Sequence, residues 1–169
     1  MKNLLLIAFL SAILFSCNCN TEETKNEKST KSEISDLAKE VIQETQRSWA
    51  SYKKYAWGHD ALKPLSRSHQ DWYEKPLYIS PIDAYSTLYL MGLDEECREI
   101  ENYVIDSLDF DIDIDAKIFE VNIRILGGLL SMYELSGNEK ILAKAKDFGD
   151  RMLPAFNTQT GIPKYWVNL

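Results

Sequence analysis

An all-α domain of antiparallel helix pairs is encoded in the pattern of this 169-residue chain. Apolar residues recur at helical steps of three and four in five windows, and capping or breaking residues stand at the window ends. Short connections join the second window to the third and the fourth to the fifth, which makes those helices antiparallel neighbours.

Thr30 and Glu33 fit a capping box that opens a first helix near Ser32. Ile34, Leu37, Val41, Trp49 and Tyr52 follow at roughly helical spacing, with Thr45 filling one step, and carry it to about Tyr55. The connection from Ala56 to Ile79 is long and rich in Trp, Tyr, His and Pro. Loops longer than about 12–15 residues inside a compact domain are usually functional or disordered, and the aromatics argue against disorder. In "SPIDAYSTLYLMG" Ser80 is placed to cap a second helix, Pro81 to fill its first turn and Gly92 to end it. A third helix is expected from Glu95 to Ser107.

The acidic run after it mimics a calcium loop. Counting from Asp109, acids stand at positions 1, 3, 5 and 7 and Glu120 at 12, but position 6, where an EF-hand turns on Gly, is Ile114. The run therefore reads as a solvated acidic turn ahead of a helix N-terminus, where acids are favourable. A fourth helix is expected from Lys117 to Ser136, closed by Gly137, with Asn138 capping the fifth. The fifth places Ile141, Leu142, Ala145, Phe148 and Met152 on one face and stops at Pro154. The tail is a loop with a Gly-Ile-Pro turn, and no convincing strand pair is seen; "DFDIDID" is the one alternating patch.

Composition narrows the function classes. Hydrophobic residues make up 45%, which fits a folded domain, and a net charge of -7 gives no electrostatic support to nucleic-acid binding. Residues 1–16 have a Lys at position 2 and an apolar run from Leu4 to Phe15, the pattern of a bacterial export signal. The ending "LFSC" resembles a lipobox, which implies lipidation of Cys17; an ordinary signal peptide cut elsewhere, or a membrane anchor, is the other reading. Residues 17–32 are polar and read as a flexible tether, which leaves 33–169 as the domain. The expected location is the bacterial cell envelope, lipid-anchored to the membrane on its periplasmic or cell-surface side. With Cys17 used as anchor and Cys19 in the tether, Cys97 is alone in the domain, so no disulfide framework or CxxC metal site arises.

The fourth helix, "KIFEVNIRILGGLLSMYELSG", is apolar on most sides and is expected to be buried on most sides. Glu120, Arg124, Gly127 or Gly128, and Ser131 form one small, polar stripe on it. Two mid-helix glycines cost about 1 kcal/mol each against Ala, which points to close packing or ligand approach. The stripe has two readings: an i,i+4 ion pair, or the wall of a catalytic site.

Four segments, "YAWGHDALKPLS", "IDAYSTLYLMGL", "FEVNIRILGGLLSMYELSG" and "LPAFNTQTGIPKYWVNL", resemble successive motifs of the class I α-1,2-mannosidases, glycoside hydrolase family 47, in family order and spacing. The resemblance implies an (α/α)7 toroid with its site in the central cavity. It implies an exo-acting, inverting hydrolase that removes terminal α-1,2-linked mannose from glycans and needs calcium. Carried over motif by motif, it makes Glu120 the general acid, places Arg124 and Asp83 at the sugar site, and assigns Trp57, His59 and Asp60 to substrate binding. Glycoside hydrolysis needs one carboxyl to protonate the leaving oxygen and a second to activate water, and an indole offers an apolar face to a sugar ring. Simpler readings stand beside each role: an ion pair for Glu120 and Arg124, a favoured first-turn acid for Asp83, a loop hydrogen bond for His59 and Asp60, packing for Trp57.

The chain departs from the family pattern at Tyr85 and Ser86, where the family has Leu and Asp. It corresponds to roughly the first third of the toroid, so only an N-terminal part of the catalytic domain is present. The family's second carboxylate and its calcium-holding Thr have no counterpart, so no metal ligand is expected in this chain. Little hydrolysis is expected from it alone, and the missing part is a possible separate partner chain. The alternative is a non-catalytic surface lipoprotein that binds glycan or protein.

Overall fold

The computed structural model describes residues 35–169, of which Asp36–Leu169 pack as one unit. The export segment, Cys17, the tether and the capping box at Thr30 and Glu33 lie outside the described residues. Among the described residues no helix is long and apolar enough to cross a membrane.

Helix α1, Asp36–Ala56, has neither Gly nor Pro and carries i,i+3 pairs between Asp36 and Lys39 and between Glu44 and Arg47. It buries Trp49, Tyr52 and Ala56 near its end, while Leu37 and Val41 stay exposed. A hairpin comes next, β1 (Ala61–Lys63) against β2 (Ser68–Gln70), with Leu62 opposite His69. Helix α2, Ile79–Leu90, begins one residue before the expected cap. Ser80 lies within it and turns its hydroxyl to the Asp60 carbonyl, 2.5 Å away. Gly92, at φ 73°, then reverses the chain into α3, Asp94–Asp106, whose first turn holds Asp94, Glu95 and Glu96.

Strand β3, Asp115–Lys117, leads into α4, Ile118–Val121; a π-helical turn, Asn122–Leu126, joins α4 to α5, Gly127–Ser136. A π turn holds more residues than an α turn and so rotates α5 about the axis relative to α4, which breaks the continuous stripe expected from Glu120 to Ser131. The expected burial on most sides is not met either, since Phe119 is 66% and Ile123 48% exposed. Gly137 closes α5 at φ 67°, its N–H donating to the Tyr133 carbonyl at 2.7 Å. Asn138 accepts from the Lys140 N–H at 3.1 Å and so caps α6, Glu139–Met152, which buries Ile141, Ala145, Phe148 and Met152. A 3-10 turn, Leu153–Phe156, carries Pro154.

The core is two helix hairpins laid against each other: α2 packs on α5 and α3 on α6. Ile82, Tyr85 and Leu88 of α2 meet Ile125, Leu129 and Met132 in one buried cluster with Ile100, Val104, Ile141 and Phe148. Two strand pairs, which sequence reasoning did not foresee, complete the chain. In the second, β4 (Trp166–Asn168) pairs antiparallel with β3, setting Asp115 opposite Asn168 and Lys117 opposite Trp166.

Gly128 sets how closely α2 and α5 approach. A Cβ there would stand 2.5 Å from Ile82 Cγ2 and 3.1 Å from the Ile82 carbonyl oxygen, whereas at Gly127 the nearest atom is 3.6 Å away. Gly128→Ala is therefore expected to lose about 1–3 kcal/mol through overpacking. Gly127→Ala should be neutral or gain about 0.5–1 kcal/mol from reduced chain freedom. Denaturant unfolding of the two variants checks this, and equal midpoints would exclude the close contact.

Candidate active site

A cleft of about 760 Å³ opens between residues 70–74, the acidic turn, the start of α4 and β4. Glu120 stands in its wall, with Trp72, Tyr73 and Trp166 as aromatic faces and Asp71, Glu74, Asp113 and Asp115 as further carboxylates. Tyr73 is fixed where the Lys117 N–H donates to its hydroxyl oxygen at 3.2 Å.

Arg124 ties the wall together. Its Nε donates to Glu120 Oε2 at 2.9 Å and its Nη1 to Asp83 Oδ2 at 2.5 Å, so one guanidinium bridges two helices. Its other side lies over the Trp72 ring, 5.1 Å from the centroid. The hydrogen bonds to Glu120 and then to Asp83 raise its pKa further, which keeps the cation charged at any working pH. Glu120 is about one-third exposed, so it meets both this fixed charge and solvent in the cleft. Asp83 lines a separate groove with Trp49 and Leu88, and its ion pair with Arg124 is what links it to Glu120.

Trp57, His59 and Asp60, read together in the sequence, go three ways. Trp57 packs edge-on against Tyr78 at 5.6 Å and Tyr103 at 5.7 Å, away from the Glu120 cleft. Asp60 is the one fully buried charged residue among those described. Its Oδ1 accepts the N–H groups of Leu77 at 2.7 Å and Ile79 at 3.2 Å, and its Oδ2 that of Trp72 at 2.9 Å. Burial raises its pKa, and those three donors counter the shift. His59 Nδ1 lies 3.0 Å from Asp71 Oδ2.

Calcium takes six to eight oxygen ligands. The one group of metal-ligand type among the described residues, His59, His69 and Asp71, offers two nitrogens and a carboxylate. The acidic turn spends its carboxylates elsewhere: Asp109 accepts from the Asp111 N–H, Asp111 pairs with Arg151, and Asp113 and Asp115 accept from Asn168. The described residues therefore do not fit calcium. Cys97 is buried, and burial first, then Asp94, Glu101 and Glu96, push its thiol up to about 11, which disfavours the reactive thiolate.

Residues 44–169 match the model of glycosyl hydrolase family 47. The chain belongs to that family. It is 51% identical over 121 residues to the Arabidopsis thaliana mannosyl-oligosaccharide 1,2-alpha-mannosidase MNS1, covering 72% of this chain and 21% of that protein. To the endoplasmic reticulum mannosyl-oligosaccharide 1,2-alpha-mannosidase of Homo sapiens it is 47% identical over 131 residues, covering 78% and 18%. The alpha-1,2-mannosidase from Trichoderma reesei superposes with a TM-score of 0.69 at 30% identity, covering 77% of this chain and 30% of that one. The paired helices are thus the N-terminal part of the family 47 (α/α)7 toroid. The chain spans about a fifth of the length of these curated relatives.

One expectation is overturned. The chain's curated relatives include proteins of a plant, mammals and an insect, and several mammalian ones are named for the endoplasmic reticulum, which contradicts a bacterial, lipid-anchored envelope location. The physical reason is that a positive residue followed by an apolar run encodes export alike at any translocating membrane. It could not specify which membrane.

The departure at Tyr85 is a packing change: its ring is buried in α2 and its hydroxyl donates to Glu101 at 2.6 Å. Sequence reasoning missed Asp71, Trp72, Tyr73 and Trp166 as walls of the cleft. The aromatic richness of the Ala56–Ile79 connection was the available signal for Trp72 and Tyr73; Asp71 carried none, and Trp166 reaches the cleft only through the β3–β4 pairing.

Asp60→Ala leaves three backbone N–H groups without their acceptor, at about 1–3 kcal/mol each, so a loss on the order of 3–5 kcal/mol in unfolding free energy is expected. The pH dependence has a definite sign. A carboxyl whose folded pKa is raised contributes fully below its unfolded pKa and loses that contribution as pH rises through the folded value. Wild-type stability should carry that falling slope on the acid side, and Asp60→Asn should remove it. Superimposable stability–pH curves would refute the burial effect.

Proposed function

We propose that residues 33–169 form the N-terminal part of a mannosyl-oligosaccharide 1,2-α-mannosidase catalytic domain and carry its general acid, Glu120. The observation that supports this most strongly is the position of Glu120 in the cleft wall, oriented by an arginine that is itself held by Asp83 and Trp72. The names of the relatives supply the substrate class, glycans ending in α-1,2-linked mannose. Glu120 would deliver a proton to the leaving glycosidic oxygen. Arg124 would fix its orientation and the Trp72, Tyr73 and Trp166 faces would pack a sugar ring. An inverting reaction also needs a base about 6.5–9.5 Å from the acid, with water between. In this reading the base comes from the rest of the toroid, and so does the calcium site, through which no step here is drawn. Phe119, Ile123 and Leu130, exposed along α4, the π turn and α5, are the apolar row on which the remaining helices would pack.

A second reading rests on the same aromatic cleft: a surface that binds glycan without cleaving it. In protein that carries a complete catalytic domain, Glu120→Gln is expected to lower kcat by at least a hundredfold while leaving α-1,2-mannobioside affinity within a few-fold. Unchanged turnover would eliminate Glu120 as the acid. The 169-residue chain alone is expected to bind the disaccharide without releasing mannose, as followed by NMR, and release at an enzymatic rate would show that it already holds its own base.

A further inference from the structure

We propose that His59, His69 and Asp71 bind a divalent cation of the zinc type at the base of the β1–β2 hairpin. Each residue offers one ligand atom, and the three atoms lie within 4.8 Å of one another. Two imidazole nitrogens with one carboxylate suit zinc, copper or nickel and exclude calcium and magnesium, which prefer oxygen.

Tetrahedral zinc with bonds near 2.0–2.1 Å sets neighbouring ligand atoms about 3.3 Å apart. His59 Nδ1 already stands 3.0 and 3.2 Å from the two Asp71 oxygens. His69 has the remaining distance to close, about 1.5 Å at most by that geometry. Its ring is now stacked on His59, with centroids 3.4 Å apart and planes within 9°. Parallel rings point their lone pairs side by side, so binding requires His69 to tilt. Its exposed place on the hairpin leaves room for that.

The other two ligands are held from behind. The His59 carbonyl accepts from the Tyr52 hydroxyl at 2.6 Å and the His59 N–H donates to Ala56 O at 3.0 Å. Asp71 Oδ1 accepts from the Asp60 N–H at 3.0 Å, an outer contact of the kind that orients metal-binding carboxylates. Solvent reaches the group through His69, which leaves a fourth position for water or a further ligand.

Co(II) titration of the full chain, with Zn(II) as competitor, tests this. One equivalent is expected to give the visible absorption of a four-coordinate N/O site, lost on adding Zn(II). The melting temperature should rise with Zn(II) by mass action. His69→Ala, at an exposed site, should leave the melting temperature without metal unchanged, weaken binding at least tenfold and remove the Zn(II)-dependent rise; His59→Ala should weaken binding likewise. Binding unaltered by either substitution, an octahedral spectrum, no one-to-one binding, or thiolate charge-transfer absorption from cysteine ligands would each overturn the assignment.

Discussion

Burying the Asp60 carboxylate without a cationic partner costs free energy, and the backbone from Trp72 to Ile79 is arranged around that cost. Three N–H groups converge on its two oxygens, and each fixes a different part of the loop. The Trp72 bond sets the indole under Arg124. The Leu77 and Ile79 bonds set the approach to α2, where Tyr78 is held in the left-handed region at φ 62°, a conformation that non-glycine residues seldom adopt. Asp60 never meets the cleft, yet the cleft has no Trp72 wall without it.

Arg124 carries that order onward to Glu120. It sits in the π turn, where the helix is locally wider, and from there reaches Glu120 one turn back and Asp83 on the neighbouring helix. Gly128 lets α2 lie close enough for the Asp83 contact, because a side chain at that position would push Ile82 away. The ion pair read as a structural alternative to catalysis and the catalytic reading therefore describe one arrangement. The arginine orients the carboxylate, and the carboxylate faces the cleft.

The helix ends at Gly92, Gly137 and Asn138 were legible in the sequence because their causes are local, whereas the expected Ser80 cap was not met, Tyr78 standing at that end instead. Gly92, Gly137 and Asn138 do what their conformational freedom and side chains dictate within a few residues. The family was legible because four motifs recur in order. The strand pairs were not legible, since three-residue strands carry almost no periodicity and β4 finds its partner far back in the chain. The stripe from Glu120 to Ser131 was drawn on an ideal wheel, and the π turn is invisible to such a wheel. Trp57, His59 and Asp60 adjoin in sequence, but a turn sends one to an aromatic cluster, one to Asp71 and one into the interior.

The β3–β4 pairing has a temporal side. The helix hairpins contain everything they need once Met152 has been made, whereas Asp115 must wait for Asn168, 53 residues later in the chain. Counted from Met152, the last residue of the helical core, to Asn168, the window at ordinary translation speeds is about 1–3 s. During synthesis the helical core therefore has time to assemble before β4 closes its side of the cleft. The nascent protein passes through a stage in which the helices are packed while the β4 side of the Glu120 cleft is still open.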